Sequence, residues 1–366
     1  MLRILQIGMH DNLGGVETFL MNYYQNIDRK IIQFDFISMY DHISYEDEIK
    51  NMGGKIYNIP SVKKNPIQYY KQLKRIIIEN NYSIVHINML SAANILPILA
   101  ASSSHVDNII VHSHNGGIPN GFFRKILNKI NKKILISKAN VFFACSKLAG
   151  DWMFNKKVDY KIIPNAIKLK KFQFNNEKRN KIRKNLNIES KYVIGHVGRF
   201  QQQKNHSFLI DIFYEFHKLC PDSVLLLIGV GELQNDIIKK TSQYCLNDSV
   251  YFLGKKENVC DYYQAMDAFV LPSLFEGLPV VGVEAQICDL NCFFSSNITS
   301  EVQLNEKTYF LSLDNSAYDW AQFIYNNINI KQRMKKNISD YNIVIQAKKL
   351  EQKYLQMIGS EKNEKI

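Results

Sequence analysis

The stretch DAFVLPSLFEGLPVVGVEAQ, residues 267–286, decides how the chain is read. An apolar, strand-like run ends close to one carboxylate, Glu276. A Gly, a Pro and another Gly then fall among the seven residues that separate it from Glu284. This pattern places Glu276 just past a buried strand and residues 277–282 in a tight loop. Val283 and Glu284 are then expected to begin a helix whose free N–H groups face a crevice. A carboxylate accepts two hydrogen bonds at once, which suits the hydroxyls of a sugar or a ribose. A glutamate at a helix N-terminus also answers the helix dipole without any ligand.

Working outward, similar apolar runs alternate with helical patterns along most of the chain. RILQIG, QFDFIS, KIYNI, SIVHIN, NIIVHSH and NVFFACS come before a basic, polar linker. YVIGHVGR, SVLLLIG, SVYFLG and DAFVLPS come after it. Strands that are apolar on both faces and separated by helices indicate parallel sheets covered on both sides. Such sheets take ligands at the carboxyl ends of their strands, where the strand order reverses.

The length, 366 residues, favours two domains. The break is expected within residues 168–176, in KIIPNAIKLKKFQFNN. The expected division is 1–168, 169–340, and a C-terminal helix, 341–366, that returns to the first domain. Forty-six basic against 34 acidic residues give a net charge of +12. That balance suits nucleic acid, an anionic membrane face or phosphate-bearing small molecules. No apolar run reaches 18 residues, so no membrane span is expected. The first strand is too short for a signal peptide. The six cysteines show no CxxC spacing, which favours reduced thiols and a cytoplasmic setting.

Five strand ends carry residues suited to a ligand. Gly14 and Gly15 precede a helix, where backbone can approach a phosphate; an ordinary βα turn has the same composition. His112 and His114 lie two apart, so both point to one face of their strand, and His114 is its last residue before a Gly turn. Arg199 leaves the strand YVIGHVGR, and Lys204 stands near the next helix start, where the dipole disfavours cations. A bound polyphosphate resolves that conflict better than a solvated basic loop does. Both cations are expected to be exposed. LIGVGEL places Gly229 and Gly231 at a fourth strand end, short of a full GxGxxG. The fifth is the opening stretch.

In combination and in this order, these pieces resemble the GT-B glycosyltransferases, in particular family 4, also called group 1. PSLFEGLPVVGVEA is similar to that family's double-glutamate block, VGRFQQQKN to its cationic segment, and IGVGEL to its Gly-rich turn. IPNAI and LGGVE resemble its interdomain and N-terminal motifs. LFEGLPVVGVEAQ followed by CFFSSNITSEV looks most like bacterial capsular and exopolysaccharide transferases. Two departures stand out: Val230 replaces a common acidic residue between the glycines, and ICDLNC follows Glu284 where small residues and Gly-x-Pro are usual.

The resemblance implies an α/β protein of two Rossmann-like domains facing across a cleft. It implies a retaining sugar transfer from a nucleotide-diphosphate-sugar, with a UDP-sugar as the expected donor and no cofactor. Arg199 and Lys204 would hold the diphosphate, Glu284 the ribose and Glu276 the donor sugar. Gly277 and Leu278 would lie beside the sugar and phosphates, with Gly14, Gly15 and Gly229 also on the donor. His114, or else His112, aligns with the family's active-site histidine. With no D-x-D triplet, the cations would take a metal's role on the leaving diphosphate. The acceptor would be a polysaccharide or a polyprenyl-diphosphate-linked sugar.

Other readings stay open from residues alone. A nucleic-acid binder fits the charge, but the cations are scattered and form no binding motif, so no nucleic-acid partner is expected. A GT-B epimerase, a pyridoxal-phosphate phosphorylase or a silent sugar-nucleotide binder shares the fold but not the double-glutamate context, the silent binder excepted. One segment points to a surface. GFFRKILNKINKKILISK, residues 121–138, sets Phe122, Phe123, Ile126, Leu127, Ile130 and Ile134 at helical spacing. Arg124, Lys125, Lys129, Lys132 and Lys133 lie among them, and no acidic residue does. Such a face commonly packs on a core. With a polyprenyl-linked acceptor it would instead adsorb to an anionic membrane, placing the protein peripherally on the inner face of the cytoplasmic membrane.

Overall fold

The computed structural model describes all residues except 12–13, 116, 118–121, 156–157, 329–332, 334–337 and 365–366, with side chains to residue 359. Leu13 of LGGVE, Gly116 of the NGG turn and Gly121 at the head of the basic segment therefore lie outside the described residues. The chain divides into two compact units, Met1–Ile167 with Ser339–Ile366, and Lys168–Ile338.

In the first unit the strands are β1 (Leu2–Ile7), β2 (Ile32–Ser38), β3 (Ile56–Asn58), β4 (Ile84–Met89), β5 (Asn108–Ser113), β6 (Val141–Ala144) and β7 (Lys161–Ile162). They form one parallel sheet in the order β3-β2-β1-β4-β5-β6-β7. The second unit holds β8 (Tyr192–Val197), β9 (Ser223–Ile228), β10 (Val250–Gly254), β11 (Ala268–Leu271), β12 (Asn291–Ser295) and β13 (Thr308–Leu311). Their order is β10-β9-β8-β11-β12-β13, again all parallel. Both sheets are doubly wound. The order reverses between β1 and β4 in one and between β8 and β11 in the other, the points where such sheets open a crevice.

Residues with both faces covered explain the near-continuous apolar strands. Every residue of β2, β4, β5, β9, β11 and β12 is buried. The C-terminal helix Ile343–Glu364 completes the first unit's core. Ile343, Ala347, Leu350 and Tyr354, one stripe at helical spacing, pack in the same cluster as Ile4, Phe34 and Phe36. Three strands are absent from the sequence reading: the two-residue edge strand β7, and β12 and β13 with five and four residues. Only for β7 is shortness a sufficient reason, because strands as short as β3 and β11 are legible in the sequence.

Two further expectations are corrected. The helix after the double-glutamate turn begins at Val280, not Val283, so Gly282 is helical and Glu284 stands in the second turn. Pro279 is the extended N-cap, and its carbonyl accepts the Gly282 and Val283 N–H groups at 3.0 and 3.3 Å, which sets the helix start at Val280. The helix Phe122–Lys138 is turned opposite to a core-facing amphipathic helix. Its inward stripe is Asn128, Asn131 and Leu135, while Phe122, Phe123, Ile126, Leu127 and Ile130 are exposed. The Asn128 Oδ1 accepts the Ala92 N–H at 2.8 Å, and Asn131 Nδ2 donates to the Ala92 carbonyl at 2.8 Å. These bonds satisfy both backbone groups of Ala92, either of which would cost about 1–3 kcal/mol if buried unmet.

Candidate active site

In the second unit the site starts from glycine. Past β9, Gly229 adopts φ +139°, and a Cβ there would stand 2.1 Å from the Gly198 carbonyl oxygen. A Cβ on Gly231 would meet the Phe200 carbonyl oxygen at 2.5 Å. Without these side chains the two strand-end loops join through backbone, Phe200 N–H to Val230 O at 3.2 Å and Leu233 N–H to Phe200 O at 3.0 Å. The joined loops fix the backbone that carries Arg199. Its guanidinium is half-exposed and lies 3.4 Å from Glu232, an equally exposed carboxylate. Such a surface pair contributes little stability.

Lys204 closes the short turn Gln202–Lys204 ahead of the helix His206–Leu219. Its ammonium donates to Glu276 Oε1 at 2.6 Å, and the two side chains are only 13% and 10% exposed. The expected exposure of Lys204 is thus wrong, and Glu276 rather than an external ligand answers its charge in this state. Gln203, absent from the sequence reading, holds the other side. Its Nε2 donates to the Phe275 carbonyl at 2.9 Å and reaches Glu276 Oε2 at 3.3 Å. Gln203 O also accepts the Leu274 N–H at 2.8 Å, tying the β8 loop to the β11 loop across the strand-order reversal.

An ammonium has three donors and a carboxylate about four acceptor positions, so this pair retains capacity on both partners. Gly277 and Leu278 follow Glu276 in a buried turn that leads into the helix Val280–Ile287. Glu284, one and a half turns into that helix, accepts a hydrogen bond from the Tyr263 hydroxyl at 3.0 Å. Burial pushes its carboxyl up to about 7, against the opposing pull of the Tyr263 bond and the Lys171 charge. Neither Tyr263 nor Lys171 stands out in the sequence.

The first unit is built differently at the corresponding place. Gly8, at φ +124° past β1, would with a Cβ stand 2.5 Å from the Asn88 carbonyl oxygen on β4. Asn88 in turn accepts at Oδ1 from His114 Nε2, 2.9 Å away, just past β5. His112 lies beside His114 with its ring tilted by 31° and the centroids 4.0 Å apart, and Phe19 meets both rings edge-on. Behind them His86 Nε2 lies 3.2 Å from His112 Nδ1, and His86 Nδ1 lies 2.7 Å from the Tyr354 hydroxyl of the C-terminal helix. Burial pushes His86 and His114 down to about 3 and His112 well below its ordinary value, so all three imidazoles are neutral.

Gly14 and Gly15 head the helix Gly15–Asn26. That N-terminus already meets an internal anion. The Glu17 carboxylate accepts the N–H groups of His10 and Gly14, and a Cβ on Gly14 would stand 2.7 Å from Glu17 Oε2. The structure therefore gathers Arg199, Lys204, Gly229, Glu276, Gly277, Leu278 and Glu284 in one unit, and Gly14, Gly15, His112 and His114 in the other. Among the described residues no cluster of three or more potential ligands could hold a metal ion.

Comparison with known proteins agrees with this architecture. Residues 177–352 match the family described as glycosyl transferases group 1, and residues 13–171 match glycosyltransferase family 4. The chain is 33% identical over 334 residues to EpsF of Bacillus subtilis, a putative glycosyltransferase, covering 88% of this chain and 86% of that one. It is 27% identical to the capsular polysaccharide biosynthesis glycosyltransferase CapH of Staphylococcus aureus, over 95% and 98%. An Escherichia coli UDP-Gal:α-D-GlcNAc-diphosphoundecaprenol α-1,3-galactosyltransferase is 28% identical over 82% of each chain. Anabaena HepE, solved with UDP and glucose, superposes with a TM-score of 0.79 over 97% of this chain and 99% of its own, at 15% identity. The chain belongs to the family 4, or group 1, glycosyltransferases, GT-B enzymes that transfer sugars with retention of configuration and without a divalent metal.

Proposed function

We propose that the chain moves a sugar from a UDP-sugar to an undecaprenyl-diphosphate-linked acceptor during capsular or exopolysaccharide assembly. The observation that carries this reading is the buried Lys204–Glu276 pair, locked by Gln203 at the strand-order reversal of the second unit. Lys204 and Arg199 hold the donor diphosphate, Glu276 the sugar hydroxyls and Glu284 the ribose. Gly277, Leu278 and Gly229 bring backbone close to the same ligand, and Gly14, Gly15 and His114 serve from the first unit. The bond from the anomeric carbon to the β-phosphate oxygen breaks, and the two cations stabilise the departing diphosphate. The acceptor hydroxyl bonds to the same face of the sugar and its proton passes to a leaving phosphate oxygen. The glutamates bind; neither forms a covalent intermediate of the kind retaining hydrolases use. Support for the donor comes from HepE, solved with UDP-glucose, and for the acceptor from the E. coli relative.

The exposed helix Phe122–Lys138 supports an acceptor met at a lipid surface. Arg124, Lys125, Lys129 and Lys133 are exposed beside its outward apolar residues. Each basic group near an anionic leaflet contributes about 1 kcal/mol. Lys132 belongs elsewhere: its ammonium donates to the Trp152 carbonyl and lies over that ring. The attachment proposed is peripheral, at the cytoplasmic face. Among the described residues no helix is long and apolar enough to cross a membrane.

The test is thermal unfolding against a panel of nucleotide-sugars with chelator present, followed by sugar transfer on phosphatidylglycerol vesicles carrying the lipid-linked acceptor. One UDP-sugar at 100 times its dissociation constant should stabilise the chain by about 2.7 kcal/mol. Changing Lys125, Lys129 and Lys133 to Glu should release the protein from the vesicles and leave UDP-sugar binding intact. A panel in which no UDP-sugar stabilises the chain overturns the donor reading, and indifference to anionic vesicles at low salt overturns the membrane reading.

A further inference from the structure

The orientation of the Asn88 amide is set by its neighbours. Its nitrogen lies 3.3 Å from the Ile7 carbonyl, which can only accept, and 3.1 Å from Gln6 Oε1. The amide nitrogen must face these two, so Oδ1 faces His114. An amide oxygen can only accept, and His114 Nε2 at 2.9 Å must therefore be the protonated nitrogen. A neutral imidazole carries one N–H, which leaves Nδ1 with a bare lone pair. Phe19 and His112 fix the plane of the ring, at centroid distances of 4.9 and 4.0 Å. Asn88 itself is buried on β4 and reaches no exposed surface of its own.

We propose that Asn88 is a positioning residue that holds His114 in the Nε2–H tautomer, so that His114 Nδ1 accepts a hydrogen bond from a hydroxyl of the substrate. This rests on the reading above that His114 meets the substrate. The role of His114 is then acceptor rather than cation. Burial supports this, because it keeps the ring neutral well below physiological pH. The assignment also gives a purpose to Gly8. A side chain there would displace the Asn88 backbone, and with it the amide that selects the tautomer.

The experiment is nitrogen-15 NMR of the full chain labelled at histidine, with the His114 signals identified by their loss in His114→Ala. The wild-type protein at neutral pH should show His114 protonated at Nε2 and bare at Nδ1. Asn88→Leu removes the acceptor, so both tautomers should populate and turnover should fall about tenfold, as for one lost hydrogen bond, with UDP affinity unchanged. Asn88→Asp restores an acceptor toward Nε2. It should keep the tautomer, recover turnover at alkaline pH, and lose it as pH falls, because the added carboxylate favours a second proton on the ring. A wild-type His114 protonated at Nδ1 overturns the proposal, as does an Asn88→Leu variant with an undisturbed Nε2–H tautomer. If Asn88→Leu does not fold, the wild-type spectrum and Asn88→Asp decide the matter. Full turnover in His114→Ala sinks the placement of His114 at the substrate, whatever the tautomer proves to be.

Discussion

The two units carry the same strand order and place their chemistry at the same point of it, yet the chemistry is opposite in kind. Where β1 and β4 diverge, the Glu17 carboxylate is taken up by its own helix N-terminus, and the chain otherwise assembles neutral groups: Asn88, three uncharged imidazoles and the Tyr354 hydroxyl. Where β8 and β11 diverge it assembles charges, with Lys204 bonded to Glu276 and Arg199 near Glu232. One backbone plan thus offers a rigid polar surface in the first unit and an ionic one in the second. The contrast is between groups that can only give and take hydrogen bonds and groups that can answer a diphosphate.

The largest effect should come from breaking the ionic side. Lys204→Ala and Arg199→Ala should each lower turnover by about 10²–10³, the usual loss for one transition-state donor. They should differ in stability. Lys204→Ala strands a buried carboxylate, and denaturant unfolding should show a loss on the order of 3 kcal/mol. Arg199→Ala, at a half-exposed side chain, should leave unfolding unchanged. Equal stability of the two variants would dissolve the distinction between a buried and a surface cation.

On the neutral side, Tyr354→Phe deprives His86 Nδ1 of its partner and should cost about 1–2 kcal/mol, read as a lowered Tm. A variant as stable as the wild type would show that the C-terminal helix contributes packing alone.

A finer probe is pH. Glu284 has its carboxyl raised to about 7 from an ordinary 4.5, so the folded chain favours the protonated form. Its stabilising contribution is complete below about 4.5 and is lost as pH rises through about 7. On the role proposed for Glu284, ribose binding needs the carboxylate. UDP affinity by calorimetry should therefore rise up to about tenfold per pH unit approaching 7 from below and level off above it, and Glu284→Gln should flatten the profile. A profile that persists in Glu284→Gln assigns the titration to another group.

Much of this was legible in the sequence, and the misses share a cause. The strand ends announced themselves through polar residues at the close of apolar runs, which is how Arg199, Glu276 and His114 come forward. Asn88 closes SIVHIN in the same manner and passed unnoticed, because an asparagine becomes informative only once its neighbours across the sheet are known. Gln203, Tyr263 and Glu17 matter through partners 73, 21 and seven residues away, distances that no local pattern encodes. Gly-Leu-Pro carries the composition of a loop, yet its proline caps a helix that starts at Val280, three residues ahead of Val283. Residues 122–138 show the limit most plainly. Their apolar stripe is real, but it faces outward, and the inward contact is that of Asn128 and Asn131 with the Ala92 backbone, which the stripe does not reveal.

That arrangement separates two properties that a helix usually encodes together. The grip of Asn128 and Asn131 on Ala92, with Leu135 behind it, docks the helix from one side, while Phe122, Phe123, Ile126, Leu127 and Ile130 add nothing to the core. Substitutions on the outer side escape the constraint of stability and are free to follow the environment. A lineage could change this surface residue by residue, with no repacking of the fold beneath it.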